Sequence, residues 1–323
     1  MPDPIGDKVR LRIIFSKVPG VKRVSAAFLI ALGLAGCGAD DGGSAEVSVV
    51  ATTPHVADLV ENVAGERADV QTLVGREADP HDFEPRPSDA RELSEADVVF
   101  RSGGDLDEWL DSLLDSAGGD AAEVTLIDSV ETVESDGETD PHWWQDPRNA
   151  ERAIGAIRDA LVEADPDGRE TYDENARAYT ERLRALDRGI AACLRRVPAE
   201  KQKLVTTHDA FGYYARRYGL EVIGALIPSL SSQAQASAGE VDRLVDQIER
   251  EGVEAIFPES ALNPRLEDAV AREAGAEVTE ELWADTLGPD GSGAETYLDA
   301  MALNTERIVD GLSGGEVACR PSA

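Results

Sequence analysis

The chain has 323 residues, with 64 Asp or Glu against 31 Lys or Arg, for a formal charge of −33 at neutral pH. So acidic a chain repels phosphate backbones, which excludes nucleic acid as a partner, and its length allows one large domain or two ordinary ones, two being the expected count. The charge bears on solubility and on encounters with cations, not on fold.

Residues 1–36 have the makings of an export signal. Lys8, Arg10, Arg12, Lys17, Lys22 and Arg23 form a basic leader, and the apolar run "AAFLIALGLAG" is too short to span a bilayer comfortably. It closes on "LAGC", Leu34 to Cys37, which resembles the lipobox of bacterial and archaeal lipoproteins. That resemblance implies cleavage before Cys37, a lipid on its thiol, and a mature chain anchored to the outer face of the cytoplasmic membrane. The signal holds six basic and two acidic side chains, so the mature charge is near −37. Residues 37–45 are polar and glycine-rich, the composition of a flexible tether. With Cys37 lipidated, Cys193 and Cys319 remain as an even pair in an oxidising location. A disulfide between them is expected, with two unpaired thiols as the alternative.

From Glu46 short β-branched runs alternate with helix-period stretches. "EVSVVATT" reads as a strand, and "HVADLVENVAG" as a helix with Val56, Leu59, Val60 and Val63 on one face and Gly65 at its end. Strands follow at "ADVQTLV", "DVVFRSG" and "EVTLID", interleaved with helices at "SDARELSEA" and "LDEWLDSLLDSAG". Such alternation gives βαβ units and a mostly parallel sheet, here the first lobe, 46–167. A helix over 168–198 carries Tyr172, Ala176, Tyr179, Leu183, Leu186, Ile190, Cys193 and Val197 at alternating steps of four and three, one continuous apolar stripe. Flanked by α/β series on both sides, that stripe fits a single helix buried along two lobes. The second lobe, 199–315, repeats the pattern with strands at "KLVTT", "EVIGALI", "VEAIFPES" and "AEVT". Its helices include a capping box of Ser237 and Glu240 and a proline start at Pro264. Residues 316–323 form a tail. The expected fold class is α/β: two lobes, each a mostly parallel sheet flanked by helices, joined by one long rigid helix.

Three of the four histidines follow strand ends. His81 comes after the strand ending at Val74, His142 follows the one near Asp128 by a longer loop, and His208 ends "KLVTT"; Asp285 follows "AEVT". In open parallel sheets ligands bind at the carboxyl ends of the strands. Two of these groups belong to each lobe, so facing lobes would bring three imidazoles and a carboxylate to one interlobe cleft. That donor set suits zinc and is tolerated by manganese or iron. His81 and His142 share the tripeptide Asp-Pro-His, whose proline stiffens the loop. His55 also follows a strand but opens a helix directly, and stands as a possible accessory ligand.

The segments "PHDFEP", "DPHWWQDP", "TTHDAFGYYARRYGL", "FPESALNP" and "DTLGPDGSGAETYLDAM" closely resemble, in family order, the zinc- and manganese-binding receptor proteins of ABC importers. The resemblance runs from about Val47 to Leu312. It implies metal ligation by His81, His142, His208 and Asp285, with Glu84, Asp209 and Glu259 orienting those ligands or closing lobe contacts. It also implies a monomeric binding protein, not an enzyme, that hands captured zinc to a membrane permease, with manganese or iron as alternatives. Two departures bear on the metal. Zinc-type relatives often carry a His-rich loop where this chain has the acidic "ETVESDGETD". Manganese-type relatives commonly place glutamate where this chain has His208, and the extra imidazole leans toward zinc. Two readings from other classes are a zinc hydrolase and a surface adhesin. Against the first, a fourth protein ligand leaves no open position for a catalytic water and no "HExxH" is present; the second would be indifferent to the ligands.

Overall fold

The computed structural model describes residues 46–322 except 136, 261, 263 and 264; the expected signal, the tether, Cys37 and Pro264 lie outside the described residues. The first sheet is built from β1 (Val47–Ala51), β2 (Ala68–Thr72), β3 (Val98–Arg101) and β4 (Ala122–Thr125), all parallel in the order β2-β1-β3-β4. Its two central strands bury Val47, Val49, Val50, Val98, Val99 and Phe100, as parallel strands covered on both faces must. The crossovers are α1 (Pro54–Ala64), α2 (Pro87–Glu95) and α3 (Trp109–Ala117). Thr53 caps α1 by accepting the Val56 N–H, and Gly65 ends it at φ 58°, a left-handed turn that suits glycine.

A short antiparallel hairpin, β5 (Glu134–Ser135) with β6 (Glu138–Thr139), and the helix α4 (Pro147–Ala164) come next. Neither is among the elements expected from the sequence. The start of α4 is nevertheless well marked: Asp146 accepts the Arg148 N–H at 2.9 Å and Pro147 takes the first position.

The long helix α5 (Arg169–Leu194) stops four residues short of the expected 198, turning through Val197 toward Pro198, which disfavours helical backbone in the residue before it. Every position of its apolar stripe except the half-buried Ala176 is buried. It packs against α1 and α4 of the first lobe and against α6 (Gly212–Tyr218) and α9 (Tyr297–Ser313) of the second. One apolar cluster runs from Val49 through Leu186 to Phe257 and Leu312, so the helix shares a core with both lobes instead of bridging two separate ones.

In the second lobe β7 (Lys203–His208) pairs in parallel with β8 (Glu221–Ile227), and β9 (Ala255–Ile256) with β10 (Glu277–Val278). A bridge between Thr206 and Phe257 joins the pairs into the order β8-β7-β9-β10. The remaining helices are α7 (Ala238–Glu251) and α8 (Arg265–Ala274). The expected capping box is present at α7: Ser237 Oγ accepts the Glu240 N–H at 3.3 Å while Glu240 accepts the Ser237 N–H at 2.7 Å. The Cys193–Cys319 disulfide is formed and fastens the tail to α5. Among the described residues no helix is long and apolar enough to cross a membrane.

Candidate metal centre

Each histidine of the cleft is held by a carboxylate. His81 lies in a single tight turn, Pro80–Asp82, beyond β2, and Asp79 Oδ1 accepts its backbone N–H at 2.9 Å. The other oxygen of Asp79 accepts the Ser232 hydroxyl from the second lobe. His142 repeats the device: Asp140 Oδ1 accepts its backbone N–H at 2.9 Å and stands 2.7 Å from its Nδ1. His208 is the last residue of β7, and Glu259 spans it, one oxygen on the backbone N–H at 2.8 Å and the other on Nδ1. A carboxylate at Nδ1 keeps the proton there, so in both rings the Nε2 lone pair is free to face the cleft.

Those free nitrogens converge. His142 Nε2 and His208 Nε2 are 3.3 Å apart. Asp285 brings Oδ2 to 3.1 Å from His208 Nε2 and 3.5 Å from His81 Nε2, and Oδ1 to 3.5 Å from His142 Nε2. All four donors fall within 4.8 Å of one another. Donors arranged tetrahedrally about an ion at ~2.0–2.1 Å stand about 3.3–3.4 Å apart, close to the 3.1–3.5 Å of the contacts among His142, His208 and Asp285 and between His81 and Asp285. His81 Nε2 and Asp285 Oδ1 are buried with no hydrogen-bond partner among the described residues. Buried polar atoms without a partner are costly, and an ion coordinating both would satisfy them.

The field of the site is that of a cation trap. Burial disfavours the protonated form of His208, yet Glu259 and Asp285 hold its pKa well above 6.5. Burial likewise works against His142, and Asp285 and Asp140 outweigh it to raise its pKa. Burial would raise Asp285, but His142 and His208 keep it well below the usual carboxylate range. The charge that attracts a proton attracts a dication more strongly. His142 and His208 are sealed from solvent, whereas His81 borders a cavity of about 330 Å³ lined also by Leu106, Trp109, Pro141 and Ser229. That cavity is the open side of the centre.

The other expected residues divide. Glu259 orients His208, and Asp209 accepts the Ser135 hydroxyl at 3.0 Å, a contact between the β5–β6 hairpin and the second lobe. Glu84 is exposed in the extended stretch beyond the His81 turn, where water solvates its carboxylate; the orienting group on that loop is Asp79. His55 stands outside the four-donor group and stacks on Trp144, ring centroids 5.0 Å apart. Burial drops its pKa to about 4, so at neutral pH it packs as an uncharged ring.

A family model described as zinc-uptake complex component A, periplasmic, matches residues 49–311. The chain belongs to this family. Among its relatives, the manganese-binding lipoprotein MntA of Halalkalibacterium halodurans is 37% identical over 302 residues, 91% of this chain and 100% of that one. The metal ABC transporter substrate-binding lipoprotein SsaB of Streptococcus sanguinis is 28% identical, covering 84% of this chain and 90% of its own length. Of solved structures, the periplasmic zinc-binding protein TroA from Treponema pallidum superposes with a TM-score of 0.79 at 27% identity, over 83% of this chain and 99% of that one. A manganese-bound periplasmic metal-binding protein from Candidatus Liberibacter asiaticus gives 0.76 at 28% identity, over 82% and 99%. The two-lobed α/β architecture expected from the sequence is that of this family.

Proposed function

We propose that the centre formed by His81, His142, His208 and Asp285 captures zinc outside the cytoplasm and surrenders it to the permease of an ABC importer. The chain is a metal-binding component of such an importer and not an enzyme, and it acts on the outer side of the membrane. The observation that most supports the reading is the convergence of three nitrogens and one carboxylate, two from each lobe, within 4.8 Å of one another. We place the lobes at 46–167 and 199–315 about α5, with Cys37 as the lipid anchor and the monomer as the working unit. Because the donors are split between lobes, a small change in lobe geometry on docking would open the coordination shell. The single stiff α5 favours such small movements over a wide hinge.

Manganese is the second reading, favoured by the names of relatives such as the Halalkalibacterium lipoprotein. The donor set supports zinc, since three imidazoles and one carboxylate make a borderline tetrahedral site, while manganese prefers more oxygen. Competitive titration of the demetallated chain with both ions decides between them. The receptor reading expects one equivalent bound and a rise in melting temperature; a melting temperature indifferent to saturating zinc and manganese alike overturns it.

A further inference from the structure

Building on the metal-receptor reading, we infer that Trp144 and Gln145 form a clamp across the lobes that positions Asp285 as the fourth ligand. Trp144 Nε1 and Gln145 Nε2 both donate to the carbonyl of Ala284, at 2.9 and 3.0 Å. Two adjacent residues of the first lobe thus fill both lone pairs of a second-lobe carbonyl. Ala284 is the residue immediately before Asp285, so the peptide from which the carboxylate springs is fastened to the turn that follows His142. On its other side the chain is anchored within its own lobe: Asn304 exchanges hydrogen bonds with the backbone N–H and carbonyl of Trp283, at 2.9 and 2.7 Å. Backbone support passes from one lobe to the other between Trp283 and Ala284, one residue ahead of the ligand.

The clamp is itself rigid. Trp144 is 1% exposed, His55 stacks on its ring, the His142 ring meets it edge-on at 5.5 Å, and Tyr297 Oη donates to its carbonyl at 2.6 Å. Gln145 is the more telling member. It is equally buried, and its Oε1 has no hydrogen-bond partner among the described residues. A buried amide oxygen left unpaired costs stability, and a side chain needed for packing alone would be better apolar. What the glutamine supplies is Nε2, the second bond to Ala284. A ligand held in place before the ion arrives loses little freedom on binding, so the clamp acts chiefly to slow release.

The test uses the full chain and zinc itself, with Gln145→Leu, Trp144→Phe, and each combined with Asp285→Ala. Affinity is measured by chelator competition, release by stopped flow, ligand geometry by the visible bands of the cobalt(II)-loaded protein, and fold by the melting temperature without metal. Each clamp variant should weaken zinc binding by about ten- to a hundredfold, mostly through faster release, and should shift the cobalt bands. Gln145→Leu should melt within about 2 °C of wild type without metal, since it removes an unpaired oxygen along with the bond. In the Asp285→Ala background the same substitutions should change affinity by less than about twofold, because the clamp acts through that carboxylate. Unchanged affinity in both single variants, or the same loss with and without Asp285, overturns the clamp and leaves the receptor reading standing. A wild-type chain that takes up no zinc overturns both.

Discussion

Asp58 offers a test of how the lobes and the long helix are joined. It sits on α1, and its Oδ2 accepts both the Tyr179 hydroxyl of α5 at 3.1 Å and the Tyr297 N–H at the start of α9 at 3.2 Å. Burial pushes the carboxyl up to about 6 from its ordinary 3.8, although both hydrogen bonds pull the other way. The folded protein therefore keeps a proton on Asp58 at pH values where the unfolded chain has lost it. A carboxyl raised on folding contributes stability that is complete below the unfolded pKa and lost as pH climbs through the folded one. The interval is about two pKa units, and at 1.36 kcal/mol each that is about 3 kcal/mol. Asp58→Asn keeps an oxygen for Tyr179 and Tyr297 and removes the titration. In urea unfolding followed by circular dichroism, at fixed ionic strength with chelator present, wild-type stability minus that of Asp58→Asn should fall by about 3 kcal/mol between roughly pH 4 and 7. Groups common to both proteins cancel in the difference. A difference that stays level across this range refutes a proton held on Asp58.

Three further outcomes are expected. Zinc at a hundredfold over its dissociation constant should stabilise the wild type by about 2.7 kcal/mol, and His208→Ala should abolish that gain; a persistent gain in calorimetry places the ion elsewhere. Glu259→Gln should weaken zinc binding about ten- to a hundredfold in chelator competition, because the group that fixes the His208 tautomer is lost; wild-type affinity would show that the carboxylate has no part in orientation. Cys319→Ser should cost up to about 5 kcal/mol in denaturant unfolding, the loop-closure value for a 126-residue separation, and reductant should reproduce the loss in the wild type but not in the variant.

The four-donor group could be read because each member follows or ends a strand: His81 and His142 come after loops, His208 closes β7, and Asp285 lies beyond β10. What escaped were partners set by direction or distance. In the two Asp-Pro-His tripeptides the proline drew attention, yet the aspartates do the holding, each accepting the N–H of the histidine two residues on at 2.9 Å. Glu84 lies three residues past His81, but nearness in sequence says nothing of where a side chain points, and it faces water. The helix α4 was also legible, from Asp146, Pro147 and the helical spacing of its buried Ile154, Ile157 and Leu161. The pairing of Trp144 with Ala284 spans 140 positions, beyond the reach of any periodicity.

The bond between Cys193 and Cys319 closes a covalent ring that takes in every element from β7 to α9. A single protease cut within that ring leaves both pieces attached until a reductant arrives, a useful property for a receptor working outside the cytoplasm.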